Sequence, residues 1–217
     1  MEEYDKREKL KDFYLKIKDC TKCELSKTRT KFVFGGGSAY ANIMLVGEAP
    51  GKNEDLQGLP FVGQAGKILD SLLDSIGTSR DQVFIANVLK CRPPGNRDPG
   101  VEEIESCKGY LMEQIEIIDP KIICTMGKFS TQVLLDTDKG ITGLRGKVFR
   151  ANGRLVMPIN HPAAALYTPS RMEILRQDFK KIKMLIESGA DTEVLHDDLL
   201  NIENEGGEKS GEQLGLF

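Results

Sequence analysis

Four consecutive aliphatic residues, Ile43-Met44-Leu45-Val46, run directly into Gly47-Glu48-Ala49-Pro50-Gly51-Lys52-Asn53-Glu54-Asp55, with Pro60-Phe61-Val62-Gly63 shortly after. The aliphatic run is too short for a helix and reads as a buried strand. From Gln64 onward, apolar residues recur at Ile68, Leu69, Leu72, Leu73 and Ile76, the spacing of one helix face. The stretch between is a strand-to-helix loop, far longer than the roughly 2 to 6 residues such a connection needs. It holds the carboxylates Glu48, Glu54 and Asp55 together with several glycines, prolines and one aromatic. In an open α/β sheet, ligands bind at loops that leave the carboxyl ends of strands. This loop is the candidate site.

The rest of the chain supplies a sheet for it. Leu10, Phe13, Tyr14 and Ile17 have helical spacing over residues 5–20. Residues 82–89 read as a second strand, followed by the Pro- and Gly-rich loop Lys90-Cys91-Arg92-Pro93-Pro94-Gly95-Asn96-Arg97. Residues 101–118 form a helix stopped by Pro120, residues 121–126 a third strand, and residues 127–135 a short helix. Asn152-Gly153 between two apolar runs signals a hairpin. Its second strand exits into Asn160-His161-Pro162, and a basic helix over about 171–186 follows. Alternating strands and helices predict a three-layer α/β/α sandwich around a mainly parallel four-stranded sheet.

Charge divides the chain. Residues 187–217 carry nine carboxylates and one lysine, net −8; the chain as a whole is −3, leaving about +5 on the body. A mildly basic body admits a nucleic-acid partner without demonstrating one. The expected division is a catalytic domain over residues 1–187 and an acidic, flexible tail over 188–217. No apolar run approaches the ~18 residues of a membrane span. The N-terminus lacks secretory features, so a cytoplasmic monomer is expected, with no membrane partner.

Of five cysteines, Cys20, Cys23, Cys91 and Cys107 are placed at helix ends or in loops, whereas Cys124 sits inside the apolar run Ile122–Met126. A C-x2-C pair in such a chain suggests metal or redox chemistry more than a disulfide. These four are candidate ligands, and Cys124 is expected in the core. Spacing alone admits either zinc or an iron–sulfur cluster. Either would tie the N-terminal helix to the Pro-rich loop.

With these pieces placed, the chain resembles the family 4 uracil-DNA glycosylases over about residues 10–186. The resemblance rests on Gly47-Glu48-Ala49-Pro50-Gly51 with Glu54-Asp55, and on Pro60-Phe61-Val62-Gly63-Gln64-Ala65-Gly66. Asn87-Val88-Leu89-Lys90-Cys91-Arg92-Pro93-Pro94 and His161-Pro162-Ala163-Ala164-Ala165-Leu166 complete it. It implies a [4Fe-4S] cluster on Cys20, Cys23, Cys91 and Cys107, and a monofunctional glycosylase that removes uracil from single- or double-stranded DNA. Catalysis would involve His161 and the carboxylates Glu48 and Glu54, one of which positions the water. Gly47, Phe61, Asn87 and Asn96 would bind the base, with Phe61 as stacking platform and Asn87 reading its Watson–Crick edge. Lys90, Arg92 and Arg97 are candidate phosphate contacts, and Leu166 a candidate wedge into the duplex. No lysine suggests itself as a Schiff-base nucleophile.

The tail ends in Gln213-Leu214-Gly215-Leu216-Phe217, which resembles a bacterial sliding-clamp-binding pentapeptide. Gln213, Leu214, Leu216 and Phe217 would be the anchors, holding the enzyme near nucleoid DNA. Two rival functions share the scaffold: a non-catalytic iron–sulfur module that binds DNA or senses damage, and a hydrolase of another nucleotide. The joint presence of Glu48, Glu54, Asn87 and His161 argues against the first.

Overall fold

The computed structural model describes residues 5–168, 170–188 and 199–201. In chain order its elements are α1 (Lys6–Ile17), β1 (Gly36–Gly37), β2 (Ile43–Gly47), α2 (Lys52–Gln57), α3 (Gln64–Ser75), β3 (Phe84–Asn87), α4 (Val101–Ile118), β4 (Ile122–Met126) and α5 (Lys128–Leu135). They continue with α6 (Ile141–Leu144), β5 (Val148–Ala151), β6 (Arg154–Ile159), α7 (Ala164–Tyr167), α8 (Ser170–Glu187) and β7 (Leu199–Asn201).

Among the described residues the strands form one sheet in the order β1-β3-β2-β4-β6-β5-β7. Its centre, β3-β2-β4-β6, is parallel and four-stranded, as the alternation of strands and helices implies. Antiparallel β1 and β5 and the parallel strand β7 extend that centre to seven. β5 and β6 are the predicted hairpin, and Asn152 and Gly153 take the paired positive φ of 47° and 75° that its tight turn requires. β7 lies within the stretch expected to be a flexible tail, where it pairs with Val148–Arg150. The terminal Gln213, Leu214, Leu216 and Phe217 lie outside the described residues.

The strands are buried on both faces, which explains their unbroken apolar runs. Met44 and Val46 of β2 face α4 and α5 through Leu111, Ile115 and Leu134. Ile43 and Leu45 face the opposite layer, α3 and α8, through Leu69, Leu73, Leu175 and Phe179. Cys124 belongs to this second core and is fully buried, as expected of a cysteine in an apolar strand.

The chain leaves β2 toward β3 on one side, and leaves the adjacent β4 toward β6 on the other. That reversal opens a crevice at the carboxyl edge. α2 is seated beside it by Asp55, a buried carboxylate that accepts the backbone N–H groups of Thr30 (2.8 Å) and Lys31 (3.4 Å). Asp55→Ala would leave those amides without an acceptor. It is expected to lower unfolding free energy by about 1–3 kcal/mol, read from the midpoint of urea denaturation at constant slope.

Candidate active site

The carboxyl ends of β2, β3 and β6 meet around a cavity of about 430 Å³ lined by Glu48, Glu54, Phe61, Asn87, Asn96 and His161, among others. A larger open cleft of about 790 Å³ lies elsewhere, between α1, the end of α4 and Arg154, and contains none of these residues. The smaller cavity, at the sheet's carboxyl edge, is where the chemistry-bearing side chains converge. Gly47 does not line it but packs behind Asn87 and Phe61, which do.

Gly47 is required for that convergence. A Cβ there would stand 2.3 Å from Asn87 Oδ1 and 2.8 Å from the Phe61 ring. Asn87, the last residue of β3, is buried, and its Oδ1 has no hydrogen-bond partner among the described residues. An unmet acceptor beside a cavity is poised for a ligand's donor.

Phe61 holds the left-handed φ of 52°, uncommon for a bulky side chain. Its ring stacks on His161 with centroids 5.6 Å apart and planes inclined by 30°. Two charged side chains hold its loop. Glu54 Oε1 accepts the N–H groups of Val62 (2.8 Å) and Gly63 (2.9 Å), at the start of α3. Arg80 donates to the carbonyls of Pro60 (3.0 Å), Phe61 and Gly66 (3.4 Å), and pairs with Asp70. Arg80 has no motif of its own in the sequence; only the turn chemistry around it, Gly77 to Gln82, would have drawn attention there.

The two glutamates therefore differ. Glu54 is engaged by backbone amides, whereas Glu48 is raised above the usual carboxylate range by burial and by Asp98, with Lys128 opposing. His161 accepts the Ala163 N–H on Nδ1 at 3.2 Å, which places the proton of the neutral ring on Nε2. Burial pulls this imidazole down to about 4, against a smaller upward pull from Glu54. It is a neutral donor at ordinary pH.

The candidate phosphate contacts do not all survive. Lys90 is fully buried, bonded through Nζ to Asn87 O and Gln114 Oε1, and cannot reach a phosphate; burial pushes it down to about 8. A lysine three residues before a proline pair reads as loop surface, yet this side chain turns inward. Arg92 bonds Asn96 Oδ1 at 2.7 Å, and Arg97 makes a two-pronged pair with Glu103 (2.9 and 2.6 Å). Leu166 lies on α7, exposed, three residues from the cavity-lining Ala163.

None of the four expected thiols lines the cavity. Cys20, Cys23 and Cys91 interact electrostatically, as do Cys107, Cys91 and Cys23. Cys107 lies within α4 rather than at a helix end. Each of three sulfurs meets donors: Cys20 from Tyr110 Oη (3.2 Å) and Lys22 N (3.4 Å), Cys91 from Arg29 (3.3 Å), Cys107 from Lys90 N (3.3 Å). Among the described residues, no three cysteine, histidine or carboxylate groups stand at the spacing of a single metal ion.

The family model for the uracil DNA glycosylase superfamily matches residues 34–185, a span containing every residue that lines the cavity. The chain is 49% identical over 190 residues to the type-4 uracil-DNA glycosylase of Sulfurisphaera tokodaii, covering 83% of this chain and 85% of that one. The chain belongs to the type-4 uracil-DNA glycosylases. A relative from Archaeoglobus fulgidus is also 49% identical, over 81% of this chain and 92% of its own. One from Thermotoga maritima is 39% identical over 85% and 98%. In this family member, as in any fold, a histidine with a depressed folded value favours the native state above its free value of 6.5. That contribution is lost as pH falls from 6.5 toward 4, because the unfolded chain takes the proton first. An NMR titration of the ring should accordingly show no protonation between pH 8 and 5; a transition near 6.5 would place His161 in solvent.

Proposed function

We propose that the protein hydrolyses the N-glycosidic bond between uracil and deoxyribose in DNA, the first step of base excision repair, and does so without a lyase step. The observation that carries the proposal is the unpartnered Asn87 Oδ1, buried at the rim of a cavity walled by Phe61 and His161. Uracil offers an N3–H donor next to an O4 acceptor. One amide meets both, accepting through Oδ1 and donating through Nδ2. Cytosine reverses each partner, leaving buried groups unpaired, which is the costly kind of mismatch. A flipped base would stack on Phe61, which lines the cavity beside His161.

As the bond breaks, the sugar becomes cationic and the base leaves as an anion. The Nε2–H of neutral His161 donates to uracil O2 as its charge develops, a preorganised electrostatic contribution. Glu48 is the carboxylate left free to orient water and to face the sugar cation, while Glu54 is occupied with the Phe61 loop. Burial and Asp98 raise the pKa of Glu48, which makes it a stronger base than an exposed carboxylate. No lysine lines the cavity among the described residues, in keeping with hydrolysis by water alone. Arg97, which lines the cavity, and Arg92, bonded to the lining Asn96, would face the DNA strand with Leu166 as the wedge. The terminal pentapeptide would tether the enzyme to a sliding clamp.

Cys20, Cys23, Cys91 and Cys107 would hold a [4Fe-4S] cluster. The residues fit it: the thiols lie close enough to interact electrostatically, and backbone, guanidinium and phenol donors meet three of the sulfurs, as suits cluster thiolates. The cluster would supply iron–thiolate bonds that cross-link three segments of chain. Catalysis runs through the cavity residues alone.

The first test uses anaerobically purified protein and a labelled oligonucleotide with one deoxyuridine. Strand cleavage at that position only after alkali is the expected result. Asn87→Ala should lower excision by about 100-fold or more, since a site built for hydrogen bonds fails without them, while the cluster's visible absorbance stays unchanged. Iron-loaded wild-type protein that leaves the uracil in place on both single- and double-stranded DNA would leave the non-catalytic module as the better reading. Cys91→Ala should lose iron; full retention would remove it from the ligand set.

A further inference from the structure

Beneath the cavity lies a polar network that the chemistry above does not use. Lys90 is fully buried, and its ammonium donates to Asn87 O at 2.8 Å and to Gln114 Oε1 at 2.6 Å. Gln114, equally buried on α4, donates its Nε2 to Phe34 O at 2.9 Å. The Lys90 backbone N–H meets Cys107 Sγ at 3.3 Å. No carboxylate pairs with this ammonium among the described residues; the Cys107 thiol lies beside it. An apolar side chain of the same volume would fill the space without the heavy cost of desolvating a charge. The ammonium must therefore be retained for what its hydrogen bonds fix.

The strand geometry shows what that is. The amide of Val88 pairs with Gly47 O, so the peptide groups on either side of Asn87 bond to β2, and the Asn87 carbonyl turns away from it. On that far side β1 is only two residues long and pairs with Phe84 and Ile85. The Asn87 carbonyl lies beyond its reach. Lys90 Nζ takes the place of the missing strand, at the residue whose side chain enters the cavity.

We infer that Lys90 is a positioning residue: it holds the Asn87 carbonyl, and hence the amide proposed to read the base, in fixed relation to α4 and Cys107. The inference rests on the reading of Asn87 given above. It also assigns Gln114 a part, as the buried acceptor that aims the ammonium. An internal strut so placed joins the Cys107 thiol to the base pocket through a single residue.

The test measures equilibrium binding in full-length, iron-loaded protein. Free uracil is titrated into the complex with DNA carrying an abasic site, and affinity for that DNA alone is measured separately, alongside iron per chain. Wild type and Asn87→Ala set the scale. Lys90→Met is expected to keep its iron and its affinity for abasic DNA but to bind uracil about tenfold more weakly, the equivalent of one misplaced hydrogen bond. Its excision should show a matching rise in KM. A Lys90→Met protein that folds, keeps its iron and binds uracil like wild type would overturn the inference. If Lys90→Met does not fold, Gln114→Leu decides: uracil affinity should drop about threefold, a fraction of one hydrogen bond, and no drop would overturn the inference equally. Should Asn87→Ala itself leave uracil affinity intact, the failure belongs to the base-reading assignment and not to Lys90.

Discussion

The pocket depends on one loop, residues 58–63, and the first turn of α3 being held by opposite charges on their two kinds of backbone group. Glu54 takes the amides at Val62 and Gly63, and Arg80 takes the carbonyls at Pro60, Phe61 and Gly66. Between these grips Phe61 sits in a left-handed conformation that costs of order 1–3 kcal/mol in a residue of its type. Charge-assisted hydrogen bonds, roughly twice as strong as neutral ones, can offset that strain. The arrangement also dictates Gly66, where a Cβ would fall 1.9 Å from Phe61 O. Everything on the aromatic side of the cavity follows: the ring against Gly47, its stacking on His161, and the space left for a planar ligand.

The same loop explains why adjacent acids do different work. Glu54 and Asp55 stand side by side on α2, yet each accepts two backbone amides from a different segment, Val62–Gly63 for one and Thr30–Lys31 for the other. α2 is thereby pinned both to the platform loop and to the segment whose Arg29 reaches Cys91 Sγ. Glu48, one loop earlier, has no such duty. Burial and Asp98 keep its charge expensive, which is the condition of a group that acts on a ligand rather than on the fold.

Much of this was legible before any coordinates. Ile43–Val46 and Ile122–Met126 are runs that only a strand buried on both faces can use, and Asn152-Gly153 specified its hairpin. Glu48, Asn87 and His161 were drawn to one edge because each follows or ends a strand, and Phe61 because it lies in the long loop that begins at Glu48. What was not legible depends on contacts between distant segments. Spacing could not separate Glu48 from Glu54, since the difference lies in which amides reach each carboxylate. Lys90 looked like surface because proline-rich loops usually are, and nothing local announces that Gln114, 24 residues away, receives its ammonium. β1 and β7, two and three residues long, fall below any periodicity.

The separation of thiols from cavity constrains what a cluster could do for hydrolysis. No cysteine lines the pocket, so its iron would have no route to the scissile bond through the protein's own ligands. Yet Cys91 lies two residues before Pro93, and the loop it begins supplies Pro93, Asn96 and Arg97 to the cavity wall. That loop is rich in proline and glycine, passes through a left-handed Gly95 and Asn96, and has little regular hydrogen bonding of its own. Its far end is fixed by the Arg97–Glu103 pair on α4, the helix that also carries Cys107. Cross-linking Cys91 to Cys107 and to the N-terminal pair would therefore fix both ends of one wall of the pocket. The proposed cluster's contribution to catalysis is then a matter of loop entropy already removed before substrate arrives. In the proposed mechanism the electrostatics of bond cleavage stay with His161 and Glu48, and Asn87 reads the base.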